Sequence, residues 1–597
     1  MVARSHAVGE PRISADGLRV GWIESFDGRC DLVIAPADGS SPPAVVTADV
    51  AVSGLGAYGG GSWCFGPAGS VLVASADGPL VHARDDGGGV LKTIAVNGRA
   101  FAPALGPDER TVALCVENDR ECVVATVDLT GARPRAHAVS HGADYSWDPA
   151  WSPSGELAWH EWDLTGMSWD ESRIAIRSAD GTTRVVAGGD GCSVGQPRFS
   201  PDGRYLAYVN DEGGHWNVTV ARADGRGARP LRAEPHDHAD PAWGPGQRSF
   251  AWSPDSRAIA FSRNEAGFGR LVAASLRGRT TRDIAKAWHH GLDWGNAGIV
   301  AARSGSRTPQ QVAIAGLDGR RSVLARGPVG GFEASGLIEP VPVTWRSRNA
   351  SVHGLLYRPS FSATGVGFKP PLYVHVHGGP TDQLVAEWNA RIAYWVSRGW
   401  AVLAPNYRGS TGYGREYWKA LEQQWGVRDV DDTVAGIRHV AREGWCDPRR
   451  VVVAGGSAGG FTALLVAARY PLLARAVVSL YGVADLRRLA ATTHRFESRY
   501  LDRLVGDPVR HATRYVERSP VALADRIRTP LLVLQGSDDP VVPLDQARSI
   551  VRAVRSNGTP VETRVYRGEG HGFRRLEHKV DELTRTERFV AKWVLTR

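Results

Sequence analysis

Gly455-Gly456-Ser457-Ala458-Gly459 constrains this 597-residue chain more than any other stretch. The apolar run Arg450-Val451-Val452-Val453-Ala454 before it reads as a buried β-strand, and the segment from Phe461 to Arg469 after it reads as a helix. A serine set among glycines between a strand and a helix implies a very sharp turn, because glycine lets the backbone pass where a Cβ would collide. Such a turn lifts the Ser457 hydroxyl clear of a sheet's carboxyl end, where a nucleophile is exposed.

The groups that a nucleophilic serine needs follow in order. Pro530-Leu531-Leu532-Val533-Leu534-Gln535-Gly536 reads as a buried strand ending in Ser537-Asp538-Asp539-Pro540, and a carboxylate there suits the acid that orients a histidine. Glu562-Thr563-Arg564-Val565-Tyr566 alternates like a strand and runs into Gly568-Glu569-Gly570-His571-Gly572-Phe573. Ser457, Asp539 and His571 therefore stand in the Ser…Asp…His order of an α/β-hydrolase, as nucleophile, orienting acid and proton shuttle. Asp538 is the alternative acid, or else a turn residue at the strand end. Upstream, Leu372-Tyr373-Val374-His375-Val376-His377 reads as a strand leading into Gly378-Gly379-Pro380. The backbone N–H groups of Gly379 and Ala458 are the expected oxyanion donors. His375 and His377 read as structural, one packed under the sheet and one bonded to a loop.

The first half repeats. Turn anchors recur at Ile13-Ser14-Ala15-Asp16-Gly17, Phe65-Gly66-Pro67-Ala68-Gly69, Leu105-Gly106-Pro107-Asp108 and Trp151-Ser152-Pro153-Ser154-Gly155. They continue at Phe199-Ser200-Pro201-Asp202-Gly203, Trp252-Ser253-Pro254-Asp255-Ser256 and Trp294-Gly295-Asn296-Ala297-Gly298. The period of about 40–50 residues is that of a four-stranded propeller blade, and the anchors predict an all-β, seven-bladed β-propeller. After Glu339-Pro340-Val341, strands alternate with helical segments to the C-terminus, as in a doubly wound sheet. The expected division is a substrate-gating propeller over residues 1–332 and an α/β-hydrolase catalytic domain over 333–597.

Composition narrows the function. Charged residues make up 22% and the net charge is +8, yet no basic cluster suggests nucleic-acid binding. No run is long and apolar enough for a bilayer, and Met1-Val2-Ala3-Arg4-Ser5-His6 lacks an apolar signal segment. Six scattered cysteines, without metal-ligand spacing, read as reduced thiols in a cytoplasmic protein. His236-Asp237-His238-Ala239-Asp240 carries metal-ligand side chains but reads as a polar loop, and Asp429-Val430-Asp431-Asp432 reads as charge at a helix N-terminus. No metal or cofactor is expected.

The chain resembles the prolyl oligopeptidase (S9) family, nearest its acylaminoacyl-peptidase and dipeptidyl-aminopeptidase branches. The resemblance rests on Asn406-Tyr407-Arg408-Gly409-Ser410-Thr411-Gly412-Tyr413-Gly414, on the GGSAGG run from Gly455 to Gly460 and on His571-Gly572-Phe573. Trp159-His160-Glu161-Trp162-Asp163 with Met167-Ser168-Trp169-Asp170 resembles a further motif of bacterial members, from which Leu164-Thr165-Gly166 and Ser168 depart. The resemblance implies hydrolysis of short peptides or small aminoacyl amides through an acyl-Ser457 intermediate. A peptide-like natural product is an alternative substrate, and a catalytically silent binding propeller is the reading from another class.

Substrate contacts are expected from Tyr481, Val483, Leu486, Phe496 and Tyr500, which follow the strand Ala476–Leu480, and from Val542 beside Asp539. These would form an apolar or aromatic first subsite. Glu161, Asp163, Asp170 and Glu171 are the acidic candidates for a substrate's free amine, although the double-Glu motif of related dipeptidyl peptidases is missing. A propeller over the hydrolase face would exclude folded proteins. No nucleic-acid or membrane partner is expected, and a homo-oligomer is compatible with the sequence.

Overall fold

The computed structural model describes residues 7–53, 60–189, 191–327, 337–359 and 369–596. His6–Gly305 with Gln310–Gly327 form one compact unit, and Pro328–Arg597 lie in a second. The expected boundary at 332/333 falls outside the described residues.

The first unit is a β-propeller. Among its described residues are five separate four-stranded sheets and one eight-stranded sheet. The recurrent turn anchors each join the first two strands of a four-strand group. Their residue types have a local cause. In Ser200-Pro201-Asp202-Gly203 the Ser200 hydroxyl donates to Asp202 (2.6 Å) and accepts from the Tyr205 N–H (3.0 Å), while Gly203 N–H donates to Ser200 O (2.8 Å). Ser253 repeats this with Asp255 (2.7 Å) and the Ala258 N–H (2.9 Å). The side chains thus satisfy backbone groups at the point where ladder pairing stops. The dense tryptophans are mostly core: Trp147, Trp159, Trp162 and Trp169 are buried, with Trp162 stacked on Tyr145 at 4.9 Å.

The second unit holds an eight-stranded sheet. Its strands are β1 (Val341–Ser347), β2 (Ala350–Tyr357), β3 (Leu372–Val376), β4 (Ala401–Asn406), β5 (Val451–Gly456), β6 (Ala476–Leu480), β7 (Leu531–Gly536) and β8 (Val561–Tyr566). The order is β1-β2-β4-β3-β5-β6-β7-β8. The β1–β2 and β2–β4 pairs are antiparallel, and the remaining neighbours are parallel. Strands β4 to β7 are near-continuous Val, Leu and Ala because helices cover both faces of a parallel sheet. Parallel strands also end on one edge, so the residues after β3, β5, β6, β7 and β8 share that edge.

The helix Ala458–Arg469 is buried from Ala458 to Ala468. It is tied to the helix Arg428–Arg442 through Asp429, whose carboxylate accepts from the Thr462 hydroxyl (2.6 Å) and the Gly426 N–H (2.7 Å). Asp432 takes a bidentate bond from Arg408, at 2.7 and 2.9 Å. Two of the acids read as helix-terminus charge are therefore buried tethers; the register of the helix turns them inward.

Burial pushes the Asp429 carboxyl up to about 6, against an ordinary 3.8, and its hydrogen bonds to Thr462 and Gly426 only partly offset this. The folded state then holds a proton more tightly than the unfolded chain does. Asp429's contribution to stability is present below the ordinary value and is lost as pH rises through the folded one. Asp429→Asn should remove that slope: the variant's denaturation midpoint should gain on wild type from about pH 4 to 6 and then level off. Urea unfolding across this range checks it; a gain running the other way would mean that the two donors outweigh burial.

Candidate active site

The edge described above gathers the chemistry. Ser457 sits between β5 and the helix that starts at Ala458, with φ 54° and ψ −123°. That left-handed backbone costs a non-glycine residue roughly 1–3 kcal/mol, so its surroundings must impose it. They do so by close packing: a Cβ on Gly455 would collide with the backbone of Gly459, and one on Gly459 with the carbonyls of Val376 and His377. The elbow is thus pressed against the end of β3, and the Ser457 N–H is held by Leu480 O at 3.0 Å.

His571 Nδ1 lies 2.8 Å from Asp539 Oδ2. Asp539 follows β7 closely and is buried, and its Oδ1 accepts the N–H groups of Val541 (2.9 Å) and Val542 (2.8 Å). Gln535 Nε2 donates to Oδ2 at 3.1 Å. Four donors therefore fix the carboxylate in place. Asp538 is placed differently: its side chain accepts from the Ser537 hydroxyl at 2.7 Å on an exposed turn. The histidine loop is clamped by a residue whose part the sequence did not reveal. Buried Glu569 accepts from the N–H groups of Arg574 and Arg575 (both 2.9 Å) and pairs with His578 Nδ1 (2.7 Å). The loop lies on Gly536, where a Cβ would strike the carbonyls of Glu569 and Gly570. Tyr481 joins the two halves: its ring packs on Gly456 and stands edge-on to His571 at 4.8 Å.

Gly378 and Gly379 follow β3. A Cβ on Gly378 would stand 3.5 Å from Ser457 Cβ, so this loop borders the nucleophile directly. Gly379 has φ 107°, open to glycine alone at low cost. His377 is buried and its ring is pushed down to about 4, so it is neutral near pH 7. It stands 2.7 Å from Gly378 O, which can only accept, so the proton is on Nδ1; Nε2 then accepts from the Ser410 hydroxyl at 2.8 Å. His375 is only half-buried by surface area, yet desolvation within the sheet pushes its ring down to about 3.

A pocket of about 30 Å³ opens beside Ser457, Ala458 and Gly379. Of the residues named from the sequence, Val483, Tyr500 and Val542 line it, and so do Trp425, Leu489, Glu497, Leu501 and Leu504, which no local motif marked. Leu486 and Phe496 are buried but do not line it, and Tyr481 supports the triad side. Short helices after β6 carry Leu489, Glu497, Tyr500, Leu501 and Leu504, and their register decides which side chains enter the pocket.

In the propeller unit, Glu161 and Asp163 face Arg173, at 3.5 and 2.9 Å. Glu161 also accepts from Trp159 Nε1 at 2.6 Å. Asp170 is buried and accepts the Met167 N–H at 2.8 Å, and Glu171 accepts from the Gly191 N–H at 3.2 Å. Asp237 accepts the Trp216 N–H at 3.0 Å, and His238 meets Glu234 at 3.1 Å.

A serine on a strained elbow, a carboxylate-bound histidine and a glycine donor loop on one sheet edge define a serine hydrolase of the α/β-hydrolase class. Residues 386–596 match the model of the prolyl oligopeptidase family. The chain is 30% identical to a puromycin hydrolase whose crystal structure covers 100% of this chain and 96% of that one, with a TM-score of 0.90. A puromycin-hydrolyzing peptidase of Mycobacterium tuberculosis is 28% identical, with 99% and 95% covered and a TM-score of 0.91. Dipeptidyl aminopeptidase BIII of Pseudoxanthomonas mexicana is 26% identical over 648 residues, 99% of this chain and 88% of that protein. The chain belongs to the prolyl oligopeptidase family of serine peptidases, and its reaction is hydrolysis of peptide bonds.

Asp539→Asn should lower kcat by about 1,000- to 10,000-fold, because asparagine favours the wrong His571 tautomer. Asp538→Asn should leave kcat near wild type. Steady-state kinetics on one ester or amide substrate compares them; equal losses would move the acid's role to Asp538.

Proposed function

We propose that Ser457, His571 and Asp539 form the catalytic triad of an exopeptidase acting on short peptides and small aminoacyl amides. The observation that carries this is the 2.8 Å His571–Asp539 contact on the sheet edge that also holds the half-buried Ser457. Ser457 Oγ attacks the carbonyl carbon as its proton passes to His571 Nε2, and Asp539 stabilises the imidazolium through Nδ1–H. The N–H groups of Ala458 and Gly379 receive the negative oxygen. The imidazolium then protonates the departing amine, and water, deprotonated by His571, releases the acid from acyl-Ser457.

The apolar wall of Val483, Leu501, Leu504 and Val542 supports an apolar or aromatic side chain on the acyl residue. The likeness to a dipeptidyl aminopeptidase and to puromycin hydrolases supports acyl groups with an unblocked amine, including those joined to a nucleoside amine. Amine recognition by Glu161, Asp163, Asp170 or Glu171 belongs to the same reading, as does a propeller that limits substrate size. Seven blades are proposed on two grounds. The eight-stranded sheet consists of two four-strand groups joined by the single bridge Cys122–Tyr145. A left-handed residue also recurs at Glu10, Gly61, Ala102, Asp148, Gln196, Gly246 and Gly291, in or just before the first strand of each group. Six cysteines, none of them in a disulfide, support a cytoplasmic setting.

Ser457→Ala should abolish turnover and fluorophosphonate labelling while leaving the unfolding curve unchanged; residual activity near wild type would remove Ser457 from the mechanism. Among substrates, free aminoacyl anilides and puromycin should be cleaved in preference to N-acetylated anilides, and casein should resist. Preference for the blocked series would reassign the enzyme to acylaminoacyl-peptidase activity, and rapid casein digestion would end the size argument.

A further inference from the structure

Tyr500 touches two parts of the site at once. Its ring lines the pocket that also holds Ser457 and Ala458, and its hydroxyl leaves the pocket toward the glycine loop. There it accepts the Thr381 N–H at 3.1 Å and shares a proton with Thr381 Oγ1 at 2.6 Å. Both residues are buried. Thr381 lies two residues beyond Gly379, and the loop folds back so tightly that a Cβ on Gly379 would stand 2.8 Å from the Thr381 nitrogen. Moving Thr381 therefore moves the Gly379 peptide. Other ties hold the loop to the sheet: His377 Nδ1 to Gly378 O (2.7 Å), Thr411 N–H to Asp382 O (3.0 Å) and Leu384 N–H to Asn406 Oδ1 (2.8 Å). These anchor it to neighbouring loops and strand ends, whereas the Tyr500 tie runs through a wall that substrate itself contacts.

We propose that Tyr500 is a positioning residue: its hydroxyl sets the Gly379 N–H on the oxyanion through Thr381, and filling of the pocket acts on that donor through its ring. The proposal rests on the triad and oxyanion roles proposed above. A leucyl or phenylalanyl side chain that fills this pocket packs against the Tyr500 ring, which forms part of its wall. A small side chain leaves the ring undisturbed. The pocket then selects acyl groups partly through rate, since the benefit appears when negative charge develops on the carbonyl oxygen.

Tyr500→Phe keeps the ring and deletes the tie. With a phenylalanyl anilide, kcat should fall about 10- to 100-fold while KM changes by less than about threefold, as for a misaligned oxyanion donor whose buried partner has lost its bond. With an alanyl anilide the fall should be smaller, so the kcat preference for the large side chain shrinks. A peptide boronate, which mimics the tetrahedral adduct, should lose affinity in step with kcat/KM, while the product acid binds as before. Thr381→Val cuts the same tie from the loop side, and it decides the question even where Tyr500→Phe does not fold. The double variant should be no slower than the slower single one, because both remove one interaction. Unchanged kcat in the folded variants, or a rise in KM alone, would overturn the proposal and leave Tyr500 as pocket wall. Wild-type fluorophosphonate labelling separates the layers: no label on Ser457 sinks the underlying triad reading, whereas normal label with normal turnover in Tyr500→Phe sinks only the positioning role.

Discussion

The close approach of the Ser457 elbow to the end of β3 is the constraint on which the catalytic unit depends. Gly455 and Gly459 have no room for a Cβ, so the start of the Ala458–Arg469 helix rests on the carbonyls of Val376 and His377. This contact holds Ser457 in a conformation that a serine avoids, and it brings the glycine loop after β3 alongside the nucleophile. The helix is buried almost throughout, and Thr462 to Asp429 and Leu480 to Ser457 N–H hold it in register. Strain at one residue is balanced by a dozen residues of packing.

The electrostatic design follows from the same geometry. At Asp539 four donors fix the carboxylate, and His571 takes a fixed orientation. The donor loop, by contrast, is tied by neutral groups: His377 in a defined tautomer, Ser410, Thr381, Tyr500 and Asn406. In the proposed mechanism these neutral ties keep the loop N–H groups in place for the charge that develops on the carbonyl oxygen.

Ser457 and Asp539 were legible because each follows a strand with a long apolar run, and His571 because it follows an alternating strand; a parallel sheet puts such positions on one edge. The propeller turns were legible because Ser, Asp and Gly there satisfy or permit local backbone geometry. Tyr481, Leu486 and Phe496 show the limit. All three follow β6, yet Tyr481 supports His571 and the buried Leu486 and Phe496 miss the pocket, while Leu504 from the same stretch and Trp425 from another enter it. Glu569 and Tyr500 carried no signal for their ties, since a clamp between loops leaves no periodic trace.

Sequence alone thus determined the two kinds of domain, the Ser457 elbow and the strand-end positions of Asp539 and His571, because strand patterns and glycine spacing are local physics. Tertiary structure decided that Asp539 and not Asp538 meets His571, that Asp429 and Asp432 turn inward, and that Tyr500 reaches Thr381. Those outcomes depend on which way a side chain faces after distant segments have packed. A one-residue change in helix phase alters that direction without altering the pattern that announces the helix.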